Sequence, residues 1–87
     1  MTGSTTEEGE RLVDAREILP RVRHTVILQM FGLLAPGEGF RILNDHDPRR
    51  LYFEFQAQHG RGFEWTYLEQ GPDEWKIRIG RPLQTRS

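Results

Sequence analysis

The sequence contains no cysteine. Without a thiol the chain cannot form disulfides, bind a metal through thiolates or carry a persulfide, which excludes zinc fingers, iron–sulfur clusters and sulfur transfer. Other nucleophiles are scarce: the serines are Ser4 and Ser87, near the chain ends, and the only lysine is Lys76. Lys76 alternates onto the polar face of a predicted strand, which is a poor place for a Schiff-base amine. The residues therefore favour a protein that is not an enzyme.

Long apolar runs and an excess of charge of one sign are also absent. No apolar run approaches the roughly 20 residues that cross a bilayer, and no charged-then-apolar leader is present. We therefore expect a soluble, cytoplasmic protein with no membrane partner. The net charge is −1, and no glycine-rich phosphate loop is present. Nucleic-acid binding driven by phosphate neutralisation is therefore not expected.

The 87 residues suffice for one small domain. Residues 1–10 are small, polar and acidic, with no apolar side chain after Met1. They cannot bury enough surface to offset their ordering entropy, so we predict a disordered tail. Residues 82–87 are predicted to be a second, flexible tail. A single α/β domain then spans 11–81, and its small core is compatible with a monomer or a weak homodimer.

One helix is predicted from Pro20 to the "APG" at 35–37, because apolar residues recur there at helical spacing and Pro20 suits a first turn. A second stripe, at spacings of four and three, lies beside the predicted core face. It either packs under a loop or offers an apolar patch to a partner or second subunit. The predicted core face is Val22, Val26, Ile27, Met30, Leu33 and Leu34. The second stripe is His24, Leu28 and Phe31.

Strands are predicted where apolar and polar residues alternate, at 11–16, from Phe40 to Ile42, at 63–68 and at 75–79. The composition of 69–74 predicts a turn, so the last two strands form an antiparallel hairpin. Each of the last three strands has one apolar face, so the sheet should be covered on one side only. The opposite face should be solvated and carries Arg41, Glu64, Thr66, Lys76 and Arg78.

Residues 49–58 fit two structures. Strict alternation of Leu51, Phe53 and Phe55 favours a strand. Asp47 as an N-cap, with Pro48 at the first helical position, favours a helix. We interpret the segment as a helix, which gives the order β-α-β-α-β-β. The predicted fold is an α/β two-layer sandwich, in which a four-stranded mixed sheet is covered on one face by two helices.

A polar cluster, "NDHDP" at 44–48, follows the second strand, and His24 lies in the first turns of the first helix. Loops after parallel strands open at the same edge of a sheet, so the two should converge. Such a site suits a divalent metal (Fe, Mn, Zn or Ni) at His24, His46 and Asp45, or an anion at the helix N-termini. The alternative is architecture: Asp47 caps the helix, and Asn44 and Asp45 bond within the turn. The candidate ligand-binding residues are Arg23, His24, Asn44, Asp45, His46 and Asp47.

Specific stretches resemble known families. "VDAREILP" at 13–20 is similar to the start of the TusA/SirA-like sulfur-carrier fold, with Leu19 in place of its cysteine. The chain more closely resembles domain-of-unknown-function family 2249, a prokaryotic group. The matching positions are 13–17, Arg23, His24, Phe31, Leu34, 36–38, 44–48, Leu51 and 63–75. The resemblance implies the TusA/SirA-like fold and an accessory role beside hemerythrin-like domains or other metalloproteins, in redox or nitrogen-oxide metabolism. It implies no known reaction.

Overall fold

Residues 10–83, which the computed structural model describes, fold as one sheet with two helices. The predicted β-α-β-α-β-β order is confirmed. The elements are β1 (Arg11–Asp14), α1 (Pro20–Gly32), β2 (Gly39–Asn44), α2 (Arg49–His59), β3 (Glu64–Gln70) and β4 (Trp75–Gly80), with a 3₁₀ turn at Ala15–Glu17. Within the described residues no helix is both long and apolar enough to cross a membrane. Most of the two predicted tails, 1–9 and 84–87, lies outside the described residues, so there the tails stay predictions.

The sheet is mixed, with strand order β1-β2-β4-β3. β1 pairs with β2 in parallel, and the other two pairings are antiparallel. In the β3–β4 hairpin, Leu68 is the extra residue of a bulge, because Tyr67 pairs with Ile77 while Glu69 pairs with Lys76. Both helices contribute to a single core on one face of the sheet, which confirms the two-layer sandwich.

α2 is a helix because its two most buried residues are one helical turn apart. Leu51 and Phe55 are fully buried and lie at i and i+4. Phe53, which the alternating pattern placed on the same face, is instead 56% exposed. The strand interpretation of 49–58 is therefore wrong, and the helix prediction is confirmed.

α1 is also a helix as predicted, but its buried face matches the predicted one only in part: Ile27 is buried, and Met30 and Leu34 pack against the core. Ile27 and Phe31 are fully buried, whereas Val22 is exposed and Leu33 is 87% exposed. Phe31 meets the ring of Phe55 edge-on, with centroids 5.3 Å apart, so the larger aromatic side chain occupies the centre of the core. The helix ends at Gly32, which leaves Leu33 beyond it. The prediction that Phe31 lies beside the core face, open to a partner, is wrong.

The exchanged roles of Phe31 and Leu33 are testable by stability. Phe31→Ala should lower the free energy of unfolding by about 3–5 kcal/mol, because it empties the space between α1 and α2. Leu33→Ala is the matched control and should change it by less than about 0.5 kcal/mol, since its side chain is exposed. Urea denaturation followed by circular dichroism measures both values. Equal losses for the two variants would contradict the observed orientation of α1.

The face of the sheet opposite the helices holds a row of ion pairs. The carboxylate of Glu10 accepts hydrogen bonds from Arg41 Nε at 3.1 Å and from Arg78 Nε at 2.8 Å, and Arg78 also donates to Glu64. Arg41 is only 9% exposed, so the expected fully solvated face is wrong at this position. Glu10, the last residue of the predicted tail, is therefore tied to the sheet.

Two glycines make room for this row. Gly39 and Gly80 pair directly across β2 and β4. A Cβ atom on either would lie less than 3.0 Å from the guanidinium of Arg78. The guanidinium therefore lies over bare backbone, close enough to the sheet for Glu10 to bridge it to Arg41.

The Glu10 bridge predicts a pH dependence of stability. Burial raises the pKa of Glu10, but hydrogen bonds and charge from Arg78 and Arg41 outweigh it, so its pKa lies below the usual value. A carboxylate with a lowered folded pKa stabilises fully above its unfolded pKa, about 4.3, and loses this stabilisation as pH falls through the folded pKa. Glu10→Gln should therefore be about 1–2 kcal/mol less stable than wild type at pH 7, and the gap should narrow in acid.

The control for this prediction is Glu69→Gln. The side chain of Glu69 is exposed on β3 and has no ion-pair or hydrogen-bonding partner among residues 10–83. Its substitution should leave the pH profile unchanged. A Glu10→Gln profile parallel to wild type between pH 3 and pH 7, measured by chemical denaturation, would contradict the bridge.

Candidate functional site

A hollow of about 630 Å³ lies where both helices begin, at one edge of the sheet. It contains His24 and Arg23 from α1, together with His46 and Asp47 from the loop after β2. The predicted convergence of these residues at one edge is therefore observed. The full lining is Pro20, Arg21, Arg23, His24, Thr25, His46, Asp47, Pro48, Arg49, Arg50 and Glu54.

The topology explains this convergence. β1 and β2 run in parallel, so the chain leaves both strands at the same edge and enters a helix each time. Neither helix has a side-chain cap: Leu19 stands at the N-cap of α1 and Pro48 at the N-cap of α2. Uncapped helix N-termini carry partial positive charge and free N–H groups. The hollow is thus bordered by two such ends.

Charged side chains add to this positive potential. Four arginines line the hollow against two carboxylates, Asp47 and Glu54, which leaves an excess of two positive charges with neutral histidines. Within residues 10–83, the side chains of Arg21 and Arg50 have no ion-pair or hydrogen-bonding partner. Arg23 is fixed differently, because it donates to the carbonyl oxygen of Ile18 at 3.0 Å. The hollow therefore contains cations that the described chain does not neutralise.

The two histidines have separate carboxylate partners. His24 Nδ1 lies 3.3 Å from Glu54 Oε1, and His46 Nδ1 lies 2.8 Å from Asp45 Oδ1. The hydrogen bond with His46 lowers the pKa of Asp45. No group of three histidine, aspartate or glutamate side chains in the described part of the chain is placed to hold a metal ion. The predicted metal ligands His24, His46 and Asp45 accordingly do not form such a group.

Two predicted site residues lie outside the hollow. Asn44 is buried, and its Oδ1 accepts a hydrogen bond from the backbone N–H of Asp45 at 3.0 Å. Asp45 is exposed and contacts His46 rather than the hollow. Both therefore shape the loop after β2, as the architectural alternative expected for Asn44.

Asp47 has a different role from the one predicted. The N-cap position of α2 is occupied by Pro48, with no side-chain cap, so the prediction that Asp47 caps the helix is wrong. Asp47 Oδ1 instead accepts a hydrogen bond from the hydroxyl of Tyr67 on β3, at 2.8 Å. Burial raises the pKa of Tyr67, and this bond acts in the same direction. A carboxylate expected to bond locally is thus tied to a strand 20 residues later in the chain.

Sequence patterns did not predict a neighbouring aromatic hollow of about 410 Å³, lined by Arg49, Tyr52, Phe53, Trp65 and Tyr67. Phe53 could have indicated this hollow, because a helix over 49–58 that buries Leu51 and Phe55 leaves Phe53 exposed. Phe31 is fully buried and Leu28 is partly buried against the core, so the alternative in which the second stripe offers an exposed patch is wrong at Phe31.

The Asp47–Tyr67 bond is testable by a double-mutant cycle. Asp47→Ala and Tyr67→Phe should each destabilise the protein, and their coupling energy should be about 1 kcal/mol, because either change alone removes the same hydrogen bond. Pairing Asp47→Ala with Tyr52→Phe should give no coupling, since the Tyr52 hydroxyl has no partner among residues 10–83. Chemical denaturation measures all the variants. If Asp47→Ala lowers the free energy of unfolding as much in the Tyr67→Phe background as in wild type, Asp47 acts without Tyr67, and a helix cap would again explain its effect.

Comparison with known proteins identifies the family of the chain. The family model described as "Uncharacterized conserved protein (DUF2249)" matches residues 12–81, most of the chain. No curated protein and no solved structure matches the sequence. The similarity to the TusA/SirA-like fold therefore stays a prediction. The chain belongs to the DUF2249 family.

Proposed function

We propose that this protein is a small cytoplasmic binding module that recognises an anionic group, such as a phosphate or carboxylate, in the hollow at the beginnings of α1 and α2. The observation that carries the proposal is the set of four arginines there, facing only two carboxylates. Arg21 and Arg50 hold charges that no side chain within residues 10–83 neutralises. An oxyanion supplies the missing acceptors, because guanidinium groups bind carboxylate and phosphate oxygens in pairs.

The backbone supports the same ligand. Both helix N-termini border the hollow without a side-chain cap, and such ends favour negative charge. His24 and His46 add ring nitrogens beyond the Nδ1 atoms already in contact with carboxylates. These Nε2 atoms are further donors to an anion when they are protonated. A cation would instead meet the excess positive charge, so the proposal does not extend to a metal.

The hollow also favours binding over catalysis. Among residues 10–83 it combines no nucleophile with an adjacent base, since its hydroxyl group, Thr25, has no hydrogen bond to either histidine. We therefore propose no reaction. On the family resemblance alone, the proposal extends to an accessory role with a metalloprotein or hemerythrin-like partner in redox or nitrogen-oxide metabolism.

The test is a titration of the ¹⁵N-labelled protein with inorganic phosphate, followed by NMR. Saturable shifts should appear at residues 20–25 and 46–51. Arg50→Gln should weaken binding about tenfold, which corresponds to about 1.4 kcal/mol for one lost charged contact. Arg21→Gln should act in the same direction.

The matched control is Arg61→Gln. Arg61 is exposed after the end of α2, away from the hollow, so its loss removes the same charge from the protein without touching the site. Equal weakening by Arg61→Gln and Arg50→Gln would reduce the effect to net charge. Shifts that are absent, or spread over the whole protein, would contradict the proposed site.

A further inference from the structure

The hollow where both helices begin, called the cationic hollow below, and the aromatic hollow form one continuous surface. Arg49 lines both of them. The hydrogen bond between Asp47 and Tyr67 joins a residue of the first to a residue of the second at 2.8 Å. A single ligand can therefore contact arginines and aromatic rings together.

The aromatic hollow exposes more apolar surface than folding of this domain requires. Phe53 is 56% exposed and Tyr67 is 37% exposed, although both are large aromatic residues. Leu68, the extra residue of the β3 bulge, adds another exposed apolar side chain on the same strand. Exposed apolar groups that cluster beside charged residues are characteristic of interaction surfaces.

The rings beneath are held firmly. Tyr52 packs edge-on against both Phe53 and Trp65, with centroids 5.6 and 5.3 Å apart. The indole Nε1 of Trp65 is buried and makes no hydrogen bond within residues 10–83. Phe53 and Tyr67 thus project from a base of packed aromatic rings.

We propose that this continuous surface docks an acidic segment of a partner protein that carries a large apolar side chain. The carboxylates of the segment face Arg21, Arg49 and Arg50, and its apolar side chain covers Phe53 and Tyr67. Charge complementarity identifies the partner, because the excess of positive charge lies immediately beside the apolar surface. The inference rests on the proposed function, since it assigns the anionic group to a peptide carboxylate.

The exposure of the surface favours a peptide over a free small molecule. Pockets for small ligands enclose most of the ligand surface, whereas Phe53 is exposed over more than half of its surface and Tyr67 over more than a third. A single-stranded nucleic acid would stack its bases on exposed ring faces and follow a long basic track. Here Tyr52 meets both Phe53 and Trp65 edge-on, which leaves no stack of parallel ring faces for successive bases. A protein segment therefore fits this surface best.

The experiment selects displayed random 12-residue peptides on the immobilised full-length chain and measures the selected peptides by fluorescence anisotropy. Peptides with acidic residues next to a large apolar residue should be enriched. Phe53→Ser and Arg50→Gln should each weaken their binding about tenfold or more. The matched controls, Leu33→Ser and Arg11→Gln, remove an exposed apolar group and an exposed arginine that line a different hollow, and they should leave binding unchanged.

The outcomes separate this inference from the proposed function. If phosphate still shifts the cationic hollow but selection yields no acidic–apolar pattern, or Phe53→Ser binds like wild type, the docking inference is overturned and the anion site stands. If phosphate gives no shifts there, both fail. Tighter binding of a 12-nucleotide single-stranded RNA or of adenosine monophosphate than of the selected peptides also overturns the inference. Arg50→Gln provides an independent reading if Phe53→Ser changes the fold, which circular dichroism detects.

Discussion

The parallel pairing of β1 with β2 determines the arrangement of this molecule. Because the two strands run in the same direction, the chain leaves both at one edge of the sheet and begins a helix after each. The positive ends of α1 and α2 and the loop between Asn44 and Arg49 are therefore gathered at that edge. An antiparallel pairing would place the two exits at opposite edges and separate His24 from His46. The cationic hollow is thus a consequence of topology before any of its side chains is considered.

The pairing holds because each face of the sheet is secured differently. On one face, contact between Phe31 and Phe55 joins the two helices over Ile42 and Ile77. On the other face no helix is present within residues 10–83, and Glu10 bridges Arg41 and Arg78 across the strands. A domain this small has little apolar area to bury, and breaking an ion pair of low exposure by removing one partner is strongly destabilising.

Sequence patterns predicted the order of elements, the one-sided sheet and the meeting of His24 with the 44–48 loop, because these depend on periodicity and on chain direction. Patterns failed where two faces of a helix were both apolar. Phe31 and Leu33 differ by two positions, and only packing against α2 decides which is buried. The predicted role of Asp47 was wrong because its partner, Tyr67, is distant in the chain. The residues around Asp47 favour a helix cap, and nothing in the neighbouring sequence indicates that the hydroxyl of Tyr67 on β3 will lie beside it.

The bond of Asp47 to Tyr67, in place of a cap on α2, also changes the surface around the start of α2. A carboxylate that capped α2 would neutralise the helix N-terminus from within and occupy its free N–H groups. By bonding to Tyr67, Asp47 leaves this end uncapped and connects the cationic hollow to the aromatic one. The helix end, Arg50 and the exposed ring of Phe53 then face the same solvent, without a described carboxylate against Arg50. The arrangement replaces a local cap by a bond to β3 and leaves a positive, partly apolar surface at the edge of the sheet, which is the surface on which the proposed recognition depends.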